Sequence, residues 1–191
     1  NKFWKSLLEL SLPNNKIGAQ GAAELSQNNS WDTLQTLDLS SNSLGIEGTA
    51  YLSNNINWKN LKVLYLYNNA IGDEGTLALS QNITWDNIQV LFLSLNSITD
   101  VGVEYLCQNT AWKQLKELYL ARNTITDKGA TALGQNTNWP NLFKLDLSGN
   151  SIGDLGALEL VKSYNKLDLY LRGNAISEKI ILELRAKGLN F

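Results

Sequence analysis

Tryptophan recurs in this chain with a fixed step. It stands at Trp4, Trp31, Trp58, Trp85, Trp112 and Trp139, each 27 residues after the last. An asparagine column keeps the same step: Asn15, Asn42, Asn69, Asn96, Asn123 and Asn150. Aligned on both columns, the copies read W-x-x-L-x-x-L-x-L-x-x-N-x-I-x-x-x-G-x-x-x-L. A last copy is shorter, with Asn174 only 24 residues after Asn150, no tryptophan, and Ile180 in the glycine column. A repeat of this length is one supersecondary unit that cannot bury its apolar face alone, so the copies must stack. The columns divide the chain into one domain of seven units at 4–30, 31–57, 58–84, 85–111, 112–138, 139–162 and 163–191.

The core of each unit, L-x-x-L-x-L-x-x-N, is the signature of leucine-rich repeats. The stretches LDLSSNSLGIEG at 37–48, LYLYNNAIGDEG at 64–75 and QNTAWKQL at 108–115 resemble the ribonuclease-inhibitor-like subclass. The resemblance runs over 1–191. It departs from the subclass in placing Trp112 where leucine is usual, and in a slightly shorter unit. It implies an α/β fold: a right-handed leucine-rich-repeat solenoid, or horseshoe, with a parallel sheet on the concave face and helices on the convex face. It also implies non-catalytic recognition, as in relatives that inhibit a ribonuclease, act in innate immunity or enter host cells as bacterial effectors.

Each column has a physical reading. Leu37 and Leu39 flank Asp38 with a period of two, so they point inward from a short strand, as do Leu64/Leu66, Leu91/Leu93, Leu118/Leu120 and Leu145/Leu147. Strands are predicted to begin near Leu7, Leu34, Leu61, Ile88, Leu115, Leu142 and Leu167, each followed by a helix. Asp73, Asp100, Asp127 and Asp154 are placed to cap those helices. The glycine column (Gly21, Gly48, Gly75, Gly102, Gly129, Gly156) predicts close packing of helix on strand. The Asn15 column predicts side chains bonded to backbone in a ladder along the stack. The tryptophans are read as core. Asn28, Asn55, Asn82, Asn109 and Asn136 are read as helix ends in the left-handed conformation.

Composition removes several function classes. A net charge of −2 leaves no basic footprint for nucleic acid and no polybasic anchor for a membrane. With no histidine, the commonest general base and zinc ligand are missing, and no Ser-His-Asp or Cys-His set can form. No phosphate-binding glycine loop is present, since the glycines sit at the repeat step. No cofactor or metal is expected. Cys107 is the single cysteine, which excludes an internal disulfide and points to a reducing, cytoplasmic setting, with delivery of a bacterial effector into a host cell as the alternative. Two sequons, Asn28-Asn29-Ser30 and Asn82-Ile83-Thr84, read as chance in an asparagine-rich repeat. A first residue Asn1 and the absence of methionine point to part of a larger chain.

Function is then sought in the columns that vary. Outward strand positions put Tyr65, Phe92 and Tyr119 in a row across three adjacent strands, with Val63 and Val90 on one side. Tyr67, Leu95 and Arg122 lie toward the strand ends, and Asp38, Glu117, Lys144 and Asp146 form a charged rim. An aromatic patch with a polar rim has the composition of a protein-binding hot spot. The predicted partner is therefore a protein. The alternatives are a regulator resembling the Ran GTPase-activating protein, and a carbohydrate-binding domain that uses the aromatic row. The first copy has no helix before it, which predicts a poorly covered N-terminal end near Leu10 and Leu12. The last copy, with Lys166, Arg172, Lys179, Arg185 and Lys187, is the more polar end.

Overall fold

Strand pairing follows chain order without exception. The computed structural model describes residues 4–163 and 167–186, and its elements alternate. They are β1 (Glu9–Ser11), α1 (Gly18–Ser26), β2 (Thr36–Asp38), α2 (Gly45–Ser53), β3 (Val63–Tyr65), α3 (Gly72–Gln81), β4 (Val90–Phe92), α4 (Asp100–Cys107), β5 (Glu117–Tyr119), α5 (Asp127–Gly134), β6 (Lys144–Asp146), α6 (Asp154–Ser163), β7 (Asp168–Tyr170) and α7 (Glu178–Ala186). The seven strands form one parallel sheet in the order β1 to β7. The leucine-led segments predicted to open the strands lie one or two residues ahead of them. Leu34, Leu61, Ile88 and Leu115 are instead buried anchors of the preceding turn, and each donates its N–H to the carbonyl of the tryptophan three residues earlier, at 3.1–3.2 Å. Strands lie ~4.8 Å apart and helices need about twice that, so the strand side of such a stack is concave.

The inward leucines form one continuous core with the tryptophans. Leu37, Leu39, Leu66, Leu93, Leu118 and Leu120 are all 0% exposed. Trp31, Trp58, Trp85, Trp112 and Trp139 are buried, and neighbouring indoles lie 6.3–6.4 Å apart where they pair. Trp4 breaks the column at 50% exposure, because no earlier unit among the described residues covers it. Leu10 and Leu12 are likewise only partly buried, and Leu8 is 56% exposed. At the other end Arg172, Lys179 and Arg185 are exposed; Lys166 and Lys187 fall outside the described residues.

The asparagine ladder is present as expected. Asn69 accepts the N–H of Asn42 at 2.9 Å through Oδ1 and donates Nδ2 to the Leu39 and Tyr67 carbonyls. Three other column readings need correction. First, Asp73, Asp100, Asp127 and Asp154 do not cap their own helices. Asp100 Oδ1 accepts from the N–H of Thr126 and of Gly129, so it caps α5, the helix of the next unit. Asp73 does the same for α4, Asp127 for α6 and Asp154 for α7. Second, at Gly102, Gly129 and Gly156 the preceding unit's helix leaves no room for a side chain, whereas at Gly21 and Gly75 the nearest atoms belong to Ile17 and Ile71 of the same unit. A Cβ on Gly129 would lie 2.6 Å from Asp100 Oδ1, and one on Gly156 would lie 2.9 Å from both Ala130 Cβ and Asp127 Cα. Third, Asn28, Asn55, Asn82, Asn109 and Asn136 are not left-handed. Asn55, Asn82 and Asn109 form a second ladder: Asn55 Nδ2 donates to the Ser26 and Asn28 carbonyls, and its Oδ1 accepts from the N–H of Asn57 and Trp58. Asn82 repeats the pattern, so the amide nitrogen of its sequon is buried and doubly committed.

Candidate functional site

Three-residue strands with leucine inward leave two outward side chains each. Asp38 of β2, Val63 and Tyr65 of β3, Val90 and Phe92 of β4, Glu117 and Tyr119 of β5, and Lys144 and Asp146 of β6 are all half-buried on the strand face. The register sets Asp38, Tyr65, Phe92, Tyr119 and Asp146 opposite one another in a single row. Val63, Val90, Glu117 and Lys144 form the row beside it. Identical registers place one ring per strand, and the rings stack. Tyr65 and Phe92 are 4.4 Å apart at 11°, and Phe92 and Tyr119 are 4.1 Å apart at 8°.

A polar network closes one end of this stack. The Tyr119 hydroxyl donates to Glu117 Oε2 at 2.5 Å. Lys144 Nζ is 4.0 Å from the same oxygen. It sits between two rings, 5.4 Å from the centroid of Tyr119 and 5.5 Å from that of Tyr170. Burial, and then the bond to Glu117, raises the pKa of Tyr119. Lys144 is raised above the ordinary lysine value, chiefly by its contact with the Tyr119 hydroxyl. Tyr170 is raised mainly by donating its hydroxyl to Asp168 at 2.9 Å. Sequence reasoning left Tyr170 out of the site, and in the row Asp146 stands between it and the rings. Its membership of the outward column was the available signal, and Lys144 supplies the connection.

The remaining candidates lie at the C-terminal ends of the strands. Tyr67 is exposed at 39%, Arg122 is exposed, and Leu95 is half-buried. Leu95 and Arg122 have φ of +59° and +54°, the left-handed region, as do Asn14, Ser41, Asn68, Gly149 and Gly173 in the same column. For a residue with a Cβ this conformation costs about 1 kcal/mol or more. Arg122 lies over Gly149, where an added Cβ would come within 3.2 Å of its Cγ.

Among the described residues no group of three acidic, cysteine or histidine side chains converges on a metal position. Cys107 lies elsewhere, at the end of α4. Burial first, with Glu104 adding and Asn136 opposing, pushes its thiol up to about 12, so it is not a nucleophile at neutral pH.

The repeat signature and the alternating architecture can be set against known families. The profile described as Leucine Rich repeat matches residues 33–53, 59–80, 87–107, 114–134 and 140–161, together more than half the chain. The chain belongs to the leucine-rich-repeat family. The matched segments of this leucine-rich-repeat protein cover β2 through α6, and the first and last units lie outside them. No curated protein matches the chain. Leucine-rich repeats are generally protein-interaction modules, typically scaffolds without catalysis. No helix among the described residues is long and apolar enough to cross a membrane.

Proposed function

We propose that this leucine-rich-repeat domain is a non-catalytic recognition module. Its partner would be a protein bound on the strand face. Val63, Tyr65, Tyr67, Val90, Phe92, Leu95, Tyr119 and Arg122 form the contact surface, and Asp38, Glu117, Lys144 and Asp146 form its rim. The observation that carries this reading is the three-ring stack. It lies on the opposite side of the sheet from the leucine–tryptophan core, so the fold does not need it for packing.

The test begins with proteins captured by the native chain and lost on a Tyr65→Ala/Phe92→Ala/Tyr119→Ala variant, followed by titration of the purified partner. At ~2 kcal/mol per buried ring, Phe92→Ala and Tyr119→Ala should each weaken binding roughly thirtyfold. Circular dichroism should show the fold intact. Unchanged affinity for both single variants would move the interface to the helices or loop edges.

A further inference from the structure

The two strands that flank the ring stack are near copies. β6 begins the segment KLDLSGN at 144–150, and β2 begins TLDLSSN at 36–42. Each carries an aspartate in register with an end ring of the stack, Asp146 with Tyr119 and Asp38 with Tyr65. Both aspartates are held alike, with Oδ1 accepting the N–H of Ser148 or Ser40 at 2.9 Å. The two ends differ in one outward side chain. At the β6 end Lys144 extends over the face of Tyr119, within 5.5 Å of both tyrosine rings. At the β2 end the equivalent residue is Thr36, which carries no charge and has no reach. Among the described residues no ring or cation lies against the Tyr65 face that looks toward β2. Glu9, in register with Thr36, adds a second carboxylate beside it.

From this internal comparison we propose that the Tyr65–Asp38 end of the stack is a receptor for a basic side chain, a lysine or arginine supplied by the bound protein. The inference rests on the strand-face reading above and names the chemistry of the partner. An aromatic face attracts a cation placed within ~6 Å of its centroid, and arginine is the more frequent occupant. A carboxylate beside the ring fixes the cation through a charge-assisted hydrogen bond. The molecule satisfies this geometry internally at one end, with Lys144. At the other end it presents the ring and the acid without the cation.

A displayed library of random short peptides, selected on the native chain, tests both levels separately. Peptides that bind native protein but not Phe92→Ala should be enriched in Lys and Arg. Asp38→Lys should abolish that enrichment and weaken individual basic peptides tenfold or more. Lys144→Ala should strengthen them, because it opens the Tyr119 face beside Asp146 to a second cation, a gain that structural damage would not produce. Phe92-dependent peptides with no basic excess, or with unchanged affinity for Asp38→Lys, would overturn this inference and leave the strand-face reading standing. An absence of any Phe92-dependent peptide would overturn both.

Discussion

The Asn96 side chain is fully buried and makes four hydrogen bonds, each to a backbone group. Its Oδ1 accepts from the N–H of Asn69 at 2.8 Å and of Ile71 at 3.5 Å, and its Nδ2 donates to the Leu66 and Ser94 carbonyls. Alanine there leaves several groups without partners in a place water does not reach. Each orphaned group costs ~1–3 kcal/mol, and the ladder also joins adjacent units. Tyr65 is the contrasting case, since its ring rests on a neighbour at the surface and satisfies no backbone group. Asn96→Ala should therefore lower the chemical-denaturation midpoint by several times as much as Tyr65→Ala. A tyrosine variant as damaging as the asparagine one would mean that the ring stack is structural, and the proposed binding surface would lose its main support. The tryptophans obey a different rule. Trp85 Nε1 donates to the Asn55 carbonyl at 3.1 Å, whereas the buried Nε1 atoms of Trp31, Trp58, Trp112 and Trp139 have no partner. Packing rather than a shared hydrogen bond keeps this column in place.

Helix starts divide the molecule in two. α1, α2 and α3 have no side-chain cap, and each is entered through a glycine at positive φ, Gly18, Gly45 or Gly72. α4 and α5 are entered through Thr99 and Thr126, whose hydroxyls accept from Val101 and Lys128, and an aspartate reaches over from the unit before. The change has a sequence cause, because Asp73 is the first aspartate in a column that begins Ala19, Ile46. Asp154 shows the consequence for pH. The Ser177 N–H foremost, and then its hydroxyl, hold the Asp154 carboxyl below the ordinary value. A depressed folded pKa means stability that is complete above the ordinary carboxylate pKa and is lost as pH falls through the lowered one. Thermal melts from neutral pH down to about pH 3 should thus show a smaller acid loss for Asp154→Asn than for the native chain. Equal acid losses would remove the cap from any role in stability. The sequence revealed the aspartate column but not its direction. An aspartate in a first turn looks the same whether it caps its own helix or the next, and only the offset between successive helices decides. The row Tyr65–Phe92–Tyr119 was legible because units of equal length impose identical registers. The placement of Lys144 between two rings was not, since it depends on where a long flexible side chain comes to rest.

At the scale of the molecule, a stack in which each unit meets only its neighbours has no single core whose loss unfolds everything. Each helix from α1 to α5 packs on the next, and the sheet adds strands one at a time. Stability then depends on position along the stack. β3, β4 and β5 are covered on both sides, with Leu64, Leu91 and Leu118 at 0–1% exposure. β1 is covered on one side only, and Leu10 and Leu12 are partly exposed. Opening the first unit exposes less new apolar surface than opening a middle one, so it should open more often. Backbone bonds between units report this directly. The N–H of Leu12 donates to Asp38, that of Leu66 to Phe92, and that of Leu93 to Tyr119, at 2.8–2.9 Å, so bond length does not distinguish them. Under native conditions hydrogen exchange should be fastest at Leu12 and far slower at Leu66 and Leu93. Equal protection at all three would mean that the stack opens as one cooperative unit, with interfaces strong enough to couple the first unit to the centre. Unequal protection would place the ring stack, on β3 to β5, in the most rigid part of the molecule. A surface held there loses little conformational entropy on binding, which is the condition under which three stacked rings can act as one contact.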